Sequence, residues 1–115
     1  MPLAKILVSA EIDEAKKKEV LSGVSKAIAD VTGKPESYIM VTLQQADVAM
    51  AGSSDPAAFA DVRGIGGIGG ETNKALSAAI CDLLSGSLGI ASDRVYLNFT
   101  DISASNWGWN SATFG

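Results

Sequence analysis

A chain of 115 residues has the length of one domain, and 47% hydrophobic against 19% charged residues sets it among compact globular proteins and not disordered ones. A net charge of −4 argues against a phosphate-backbone binder, so nucleic acid is not an expected partner. The single cysteine excludes an intramolecular disulfide, and the lack of histidine excludes both a histidine-based triad and a His-ligated metal centre.

No basic segment leads into an apolar run at the amino terminus, and no stretch approaches the ~20 apolar residues of a membrane span. A cytoplasmic product without a membrane partner is expected, with leaderless export left open. Residues Leu3 to Ser9 read as a strand, and Asp13 offers an N-cap for a helix running to about Val31. Val20, Leu21, Val24, Ala27, Ile28 and Val31 fall at three-and-four spacing on one face of that helix, Lys16, Lys17 and Lys18 read as its solvated side, and Gly33 supplies a left-handed stop. A second strand follows from Tyr38 to Gln44.

The plan then repeats. A weak strand near Ala57 to Val62 leads through a glycine-rich turn to a helix from about Thr72, which carries Leu76, Ile80, Leu83, Leu84 and Leu88 and stops at Gly89. Cys81 lies in this apolar stripe and reads as a buried structural thiol. A last strand spans Arg94 to Thr100. Two strand-helix-strand units make an α+β domain over residues 1–115, one four-stranded mixed sheet with both helices on one face. Alternation turns Ile39, Val41, Leu43, Val95, Leu97 and Phe99 toward the helices. The opposite face would carry Tyr38, Met40 and Tyr96, too apolar for water, which predicts self-association in a symmetric ring.

Gly64-Ile65-Gly66-Gly67-Ile68-Gly69 fits Gly-x-Gly-x-x-Gly ahead of a helix, but AAFADV is not the apolar run of a buried parallel strand and the chain is too short for a doubly wound domain. No cofactor is expected. Backbone N–H groups holding an anionic oxygen, or simply a close turn, account for these glycines equally well.

Met1-Pro2, Thr32-Gly33-Lys34-Pro35 with Tyr38-Ile39, Gly52-Ser53-Ser54, Ile65 to Gly70, Asp93 to Asn98 and Asn106 to Phe114 together resemble the macrophage migration inhibitory factor and D-dopachrome tautomerase family, more closely its migration inhibitory factor branch. The resemblance runs from end to end. It implies the tautomerase fold, a homotrimer with active sites between subunits, and keto–enol tautomerisation of aryl α-keto acids such as phenylpyruvate, with dopachrome-type substrates a related case.

The resemblance makes Pro2 the catalytic base, a secondary amine once Met1 is removed. It makes Lys34 the partner of the substrate carboxylate and a charge that helps keep Pro2 unprotonated. The Ile65 N–H would also meet the carboxylate. Asn98 of an adjacent subunit would bond the substrate's far end, with Tyr96 walling the ring. Leu3, Tyr38, Trp107, Trp109 and Phe114 would form an apolar mouth. From the residues alone, a disordered Pro2, a solvated Lys34 and plainly packed aromatics remain open.

The chain also departs from the family. The Cys-x-x-Cys pair linked to thiol oxidoreductase activity is replaced by Ala57-Ala58-Phe59-Ala60, so that activity is not expected. Gly67 stands where mammalian members have lysine and Trp107 where they have valine, implying a less basic and more enclosed mouth. A cytokine-like receptor ligand with a retained pocket is the alternative to an enzyme, and other proline-based chemistry such as decarboxylation or dehalogenation ranks behind both.

Overall fold

The computed structural model describes residues 1–115 and opens with strand β1, Leu3–Val8. Helix α1 follows at Glu14–Thr32, and its boundaries have visible chemical causes. The Asp13 carboxylate accepts from the Lys16 N–H at 2.8 Å, satisfying one of the helix's unpaired donors. At the other end Gly33 takes φ 71° and its N–H returns to the Ala29 carbonyl.

Pro35, held at φ −64°, then starts a single 3-10 turn over Glu36–Tyr38 before β2 at Met40–Gln45. Tyr38 is therefore a turn residue, not the first residue of the strand as its β-branched neighbours suggested. The second unit runs β3 at Ala58–Gly64, α2 at Gly70–Leu88, a 3-10 turn at Ser92–Arg94, and β4 at Val95–Asp101. Helix α2 begins two residues earlier than its composition implies. Its first N–H groups need no helical partner, and the Asn73 side chain accepts from the Gly69 N–H at 2.8 Å.

The sheet order is β2-β1-β3-β4, with β1 parallel to β2, β3 parallel to β4, and β1 antiparallel to β3. Both helices cover one face, as the two-unit reading requires. The central strands turn Ala4, Ile6 and Val8 inward beside Ala58, Ala60 and Val62, and the three alanines leave room for Val20, Val24, Ile28, Leu76, Ile80 and Leu84 to pack onto them. Each large aliphatic side chain buried this way contributes on the order of 1.5–3 kcal/mol. Between the helices Gly23 gives room to Leu83, whose Cδ2 would stand 2.8 Å from an added Cβ and would have to move aside.

The uncovered face is less apolar than expected. Its register gives three rows across the sheet: Met40, Leu3, Arg63 and Thr100; then Thr42, Lys5, Asp61 and Asn98; then Gln44, Leu7, Phe59 and Tyr96. The middle row is polar, and Arg63 donates to Asp61 at 3.0 Å. Met40 and Tyr96 are exposed on this face, but Tyr38 is not part of it.

Cys81 is half-buried against the core and not fully enclosed. Burial first and the Asp82 charge second push its thiol up, against a hydrogen bond with Ser92, so it is no ready nucleophile. No helix is long and apolar enough to cross a membrane.

Past β4, a 3-10 turn over Ala104–Asn106 leads to a two-residue hairpin absent from the sequence reading, β5 Gly108–Trp109 paired with β6 Ala112–Thr113. Its turn residues Asn110 and Ser111 both take positive φ, 53° and 63°, the twist that a tight hairpin needs.

Candidate functional site

The amino-terminal end of β1 is the place where the chain's chemistry-bearing residues gather. Pro2 is buried there, and its carbonyl accepts from the Met40 N–H at 3.1 Å, extending the β1–β2 ladder by one residue. That bond fixes the backbone of Pro2 and leaves its nitrogen facing Met1.

The carboxy-terminal hairpin supplies a wall. Trp109 and Phe114 stack with centroids 5.5 Å apart and planes 8° from parallel, and Tyr38 meets both edge-on at 5.7 and 6.3 Å. The Phe114 N–H donates to the Trp107 carbonyl at 3.1 Å, folding the tail back against its own hairpin. The result is a cleft of about 400 Å³ bounded by Pro2, Leu3, Tyr38, Trp107, Trp109 and Phe114. Met1, Ile39 and Met40 also line it, and the sequence reading gave them no place there.

A second hollow of about 400 Å³ adjoins the first and shares Met1, Tyr38 and Phe114 with it, its own lining being Lys34, Pro35, Ile65 and Ala104. Gly33 ends α1, so Lys34 leaves the helix sideways and its ammonium reaches the glycine-rich turn. It donates to the carbonyl of Ile65 and, at 2.9 Å, to that of Gly66. A lysine has three such donors, which leaves one for a ligand.

The turn holds this cation with its carbonyls. That revises the idea of a loop whose N–H groups together cradle an anion, because the Gly66 N–H is already given to Asp101. The Ile65 N–H has no acceptor within the chain and stays available. Gly67 leaves room beside it: at φ 70° an added Cβ would stand 3.2 Å from Lys34 Cε.

Electrostatics follow this geometry. Burial first, and the Lys34 charge second, hold the terminal amine of Met1 below its ordinary value, since both disfavour the protonated form. No three His, Cys, Asp or Glu side chains converge on a common point.

Two predicted residues lie elsewhere in the chain. Tyr96 and Asn98 belong to β4, separated from β2 by two strands, and register puts Tyr96 opposite Phe59 at the far end of the sheet. There Tyr96 lines a separate apolar hollow of about 390 Å³ with Val48, Met50 and Phe59. Within one chain, eight of the ten candidate residues meet and these two do not.

Arg94, given no role by the sequence reading, clamps the loop before β3. Its guanidinium donates to the carbonyls of Met50, Ser53, Asp55 and Pro56 at 3.0–3.2 Å. An arginine directly ahead of an apolar strand was the one available signal.

Comparison with known proteins covers the whole chain. Residues 1–115 match the family model described as macrophage migration inhibitory factor. The macrophage migration inhibitory factor of Rattus norvegicus is 43% identical over 95 residues, 82% of this chain and 83% of that protein. Among solved structures, the migration inhibitory factor-like protein of Entamoeba histolytica superposes with a TM-score of 0.95 at 36% identity, covering 98% of each chain. The Toxoplasma gondii protein gives 0.95 at 37%, covering 97% of this chain and 99% of that one.

Proposed function

The chain belongs to the macrophage migration inhibitory factor family, and from that premise we propose that it is a keto–enol tautomerase of aryl α-keto acids such as phenylpyruvate, with the Pro2 amine as its base. The observation that carries the reading is the burial of Pro2 where an aromatic cleft meets a hollow holding a lysine. An aryl ring suits the first space and a carboxylate the second, so the carbon between them lies at Pro2.

While Met1 is attached, the Pro2 nitrogen is an amide and has no basicity. Removal of Met1 takes away one of the three residues shared by the two hollows and exposes a secondary amine beside them. Free α-amino groups titrate near ~7.7–8.0. The causes that lower the Met1 amine, burial and Lys34, act also on an amine one residue further in. A neutral base near pH 7 follows.

In the forward step the Pro2 nitrogen takes a proton from the methylene carbon. The released electron pair forms the C=C bond, and the carbonyl oxygen becomes an enolate. The ammonium then returns its proton to that oxygen, so one group serves both halves. Lys34 and the Ile65 N–H hold the carboxylate throughout.

The assembly belongs to the same reading. Tyr96 and Asn98 lie far from Pro2 in their own chain, and Met40, Tyr96 and Trp109 are 62%, 67% and 54% exposed. A homotrimer would cover these surfaces and bring one subunit's β4 to its neighbour's Pro2.

The test follows the enol absorbance of phenylpyruvate with processed protein, Pro2→Gly, and a variant with one alanine added before Pro2. The extension displaces the amine by about one residue length, ~3.5 Å, and the expected loss is about 10²–10⁴-fold. Unchanged rates in both variants would remove Pro2 from the reaction.

A further inference from the structure

One peptide unit at the site is held from both sides by opposite charges. The carbonyl of Ile65 accepts from the Lys34 ammonium, while the N–H of the same peptide, belonging to Gly66, donates to Asp101 Oδ1 at 3.0 Å. The peptide dipole therefore lies along the line from carboxylate to ammonium, its negative end on the cation. Both bonds are charge-assisted.

The fold delivers Asp101 to this place. Parallel pairing sets Asp101 opposite Gly64 as the last pair of β3 and β4, and the Ile102 N–H closes onto the Gly64 carbonyl at 2.8 Å. The turn starts at the next residue, so the end of β4 reaches its first peptide.

Local chain preference does not choose the orientation of that peptide. Gly66 sits at φ 69°, and rotating the preceding peptide plane by half a turn would give it a negative φ that glycine accepts as readily. In the rotated form the N–H would face the ammonium and the carbonyl would face Asp101. Both attractions would become repulsions, and Lys34 would lose its Ile65 acceptor.

We propose that Asp101 is a positioning residue: by fixing the Ile65–Gly66 peptide it holds Lys34 in the orientation that receives a carboxylate-bearing ligand. The inference rests on Lys34 binding the substrate carboxylate. Asp101 itself touches no substrate.

The experiment compares processed wild type, Asp101→Ala, Asp101→Asn and Lys34→Ala on phenylpyruvate and on its methyl ester, which keeps the enolisable carbon and lacks the negative charge. Asp101→Ala is expected to raise KM for the acid about tenfold, as loss of one charged hydrogen bond does, with kcat and the ester's kinetics near wild type. Asp101→Asn, whose side-chain oxygen can still accept from Gly66, is expected to recover most of the loss. Hydrogen exchange at the Gly66 amide, faster in Asp101→Ala, reads the bond directly and independently of turnover.

An impaired Lys34→Ala beside an unaffected Asp101→Ala overturns the role of Asp101 alone. So does equal damage to acid and ester, an asparagine variant no better than alanine, or unaltered exchange at Gly66. A Lys34→Ala variant equal to wild type overturns the carboxylate site, and the inference falls with it.

Discussion

The segments after Gly33 and after Gly89 have one backbone and two uses. Each is a left-handed glycine, an extended stretch, a single 3-10 turn and then a strand, so that, counted from the cap, Lys34 corresponds to Ile90 and Tyr38 to Arg94. Ile90 is fully buried and joins the core. Lys34 is half-buried with its ammonium on carbonyls of the glycine-rich turn. Arg94 ties down the neighbouring loop through four carbonyls, whereas Tyr38 stays 41% exposed and meets two aromatic rings from the carboxy-terminal hairpin. A repeated β-α-β unit thus provides two equivalent ends, one sealed by a buried isoleucine and an arginine clamp and one left open as a lined cleft.

The division breaks most visibly at Ile90. Ile90→Ala is expected to cost about 2–5 kcal/mol, the range for emptying a packed aliphatic site, out of a total of roughly 5–15 kcal/mol for a domain. Denaturant unfolding should show a lower midpoint while turnover per folded molecule stays near wild type. A variant with its midpoint intact and its turnover lost would mean that the sealed end takes part in the reaction.

Glycines sharpen the contrast at a smaller scale. Gly67→Ala at the open end forces a left-handed alanine, about 1–2 kcal/mol of strain, and sets its Cβ 3.2 Å from Lys34 Cε. KM for phenylpyruvate should rise several-fold along with that loss of stability. Gly86, inside α2 near the sealed end, has nothing within 4 Å of an added Cβ and no positive φ. Gly86→Ala should therefore stabilise the fold by roughly 0.5–1 kcal/mol and leave KM alone. Equal effects of the two alanines on KM would erase the distinction.

The helical framework was far more legible in the sequence than either end of it. Apolar spacing in α1 and α2, the Asp13 cap and the two stopping glycines each act within a few residues, and a pattern read along the chain captures them. The open end depends on contacts between distant segments. Lys34 meets Ile65 and Gly66 across more than thirty positions, and the peptide held by Asp101 depends on the register of β4 against β3. Resemblance to a family named Pro2, Lys34 and Ile65, but carried no account of why the turn grips the lysine with carbonyls. The hairpin at Gly108–Thr113 escaped because strands of two residues carry no periodicity, and Asn110-Ser111 is a faint turn signal beside the usual Asn-Gly. Tyr38 was read as strand because the local run Tyr38 to Gln44 favours β structure, whereas Pro35 had already begun a turn.

The smallest expected effect tests whether the charge at the open end also tunes the base. An amine accepts a proton only when uncharged, so kcat/KM falls on the acid side as the free enzyme's amine becomes protonated. At the Met1 amine Lys34 disfavours the protonated form by repulsion, and the proposed Pro2 amine would feel the same charge. Removing that charge makes protonation easier, the amine's pKa rises, and the acid limb of the profile moves to higher pH. Lys34→Met should show this shift, and Lys34→Arg, which keeps the charge, should hold the limb in place whatever it does to KM. Burial is the larger of the two causes at the terminal amine, so the methionine variant should recover only the lesser share of the depression. Ile90→Ala, at the equivalent position of the other unit, should leave the limb where it is. A limb unmoved by Lys34→Met, or displaced to lower pH, would confine Lys34 to holding the carboxylate and make desolvation the sole cause of a neutral amine at that end of the fold.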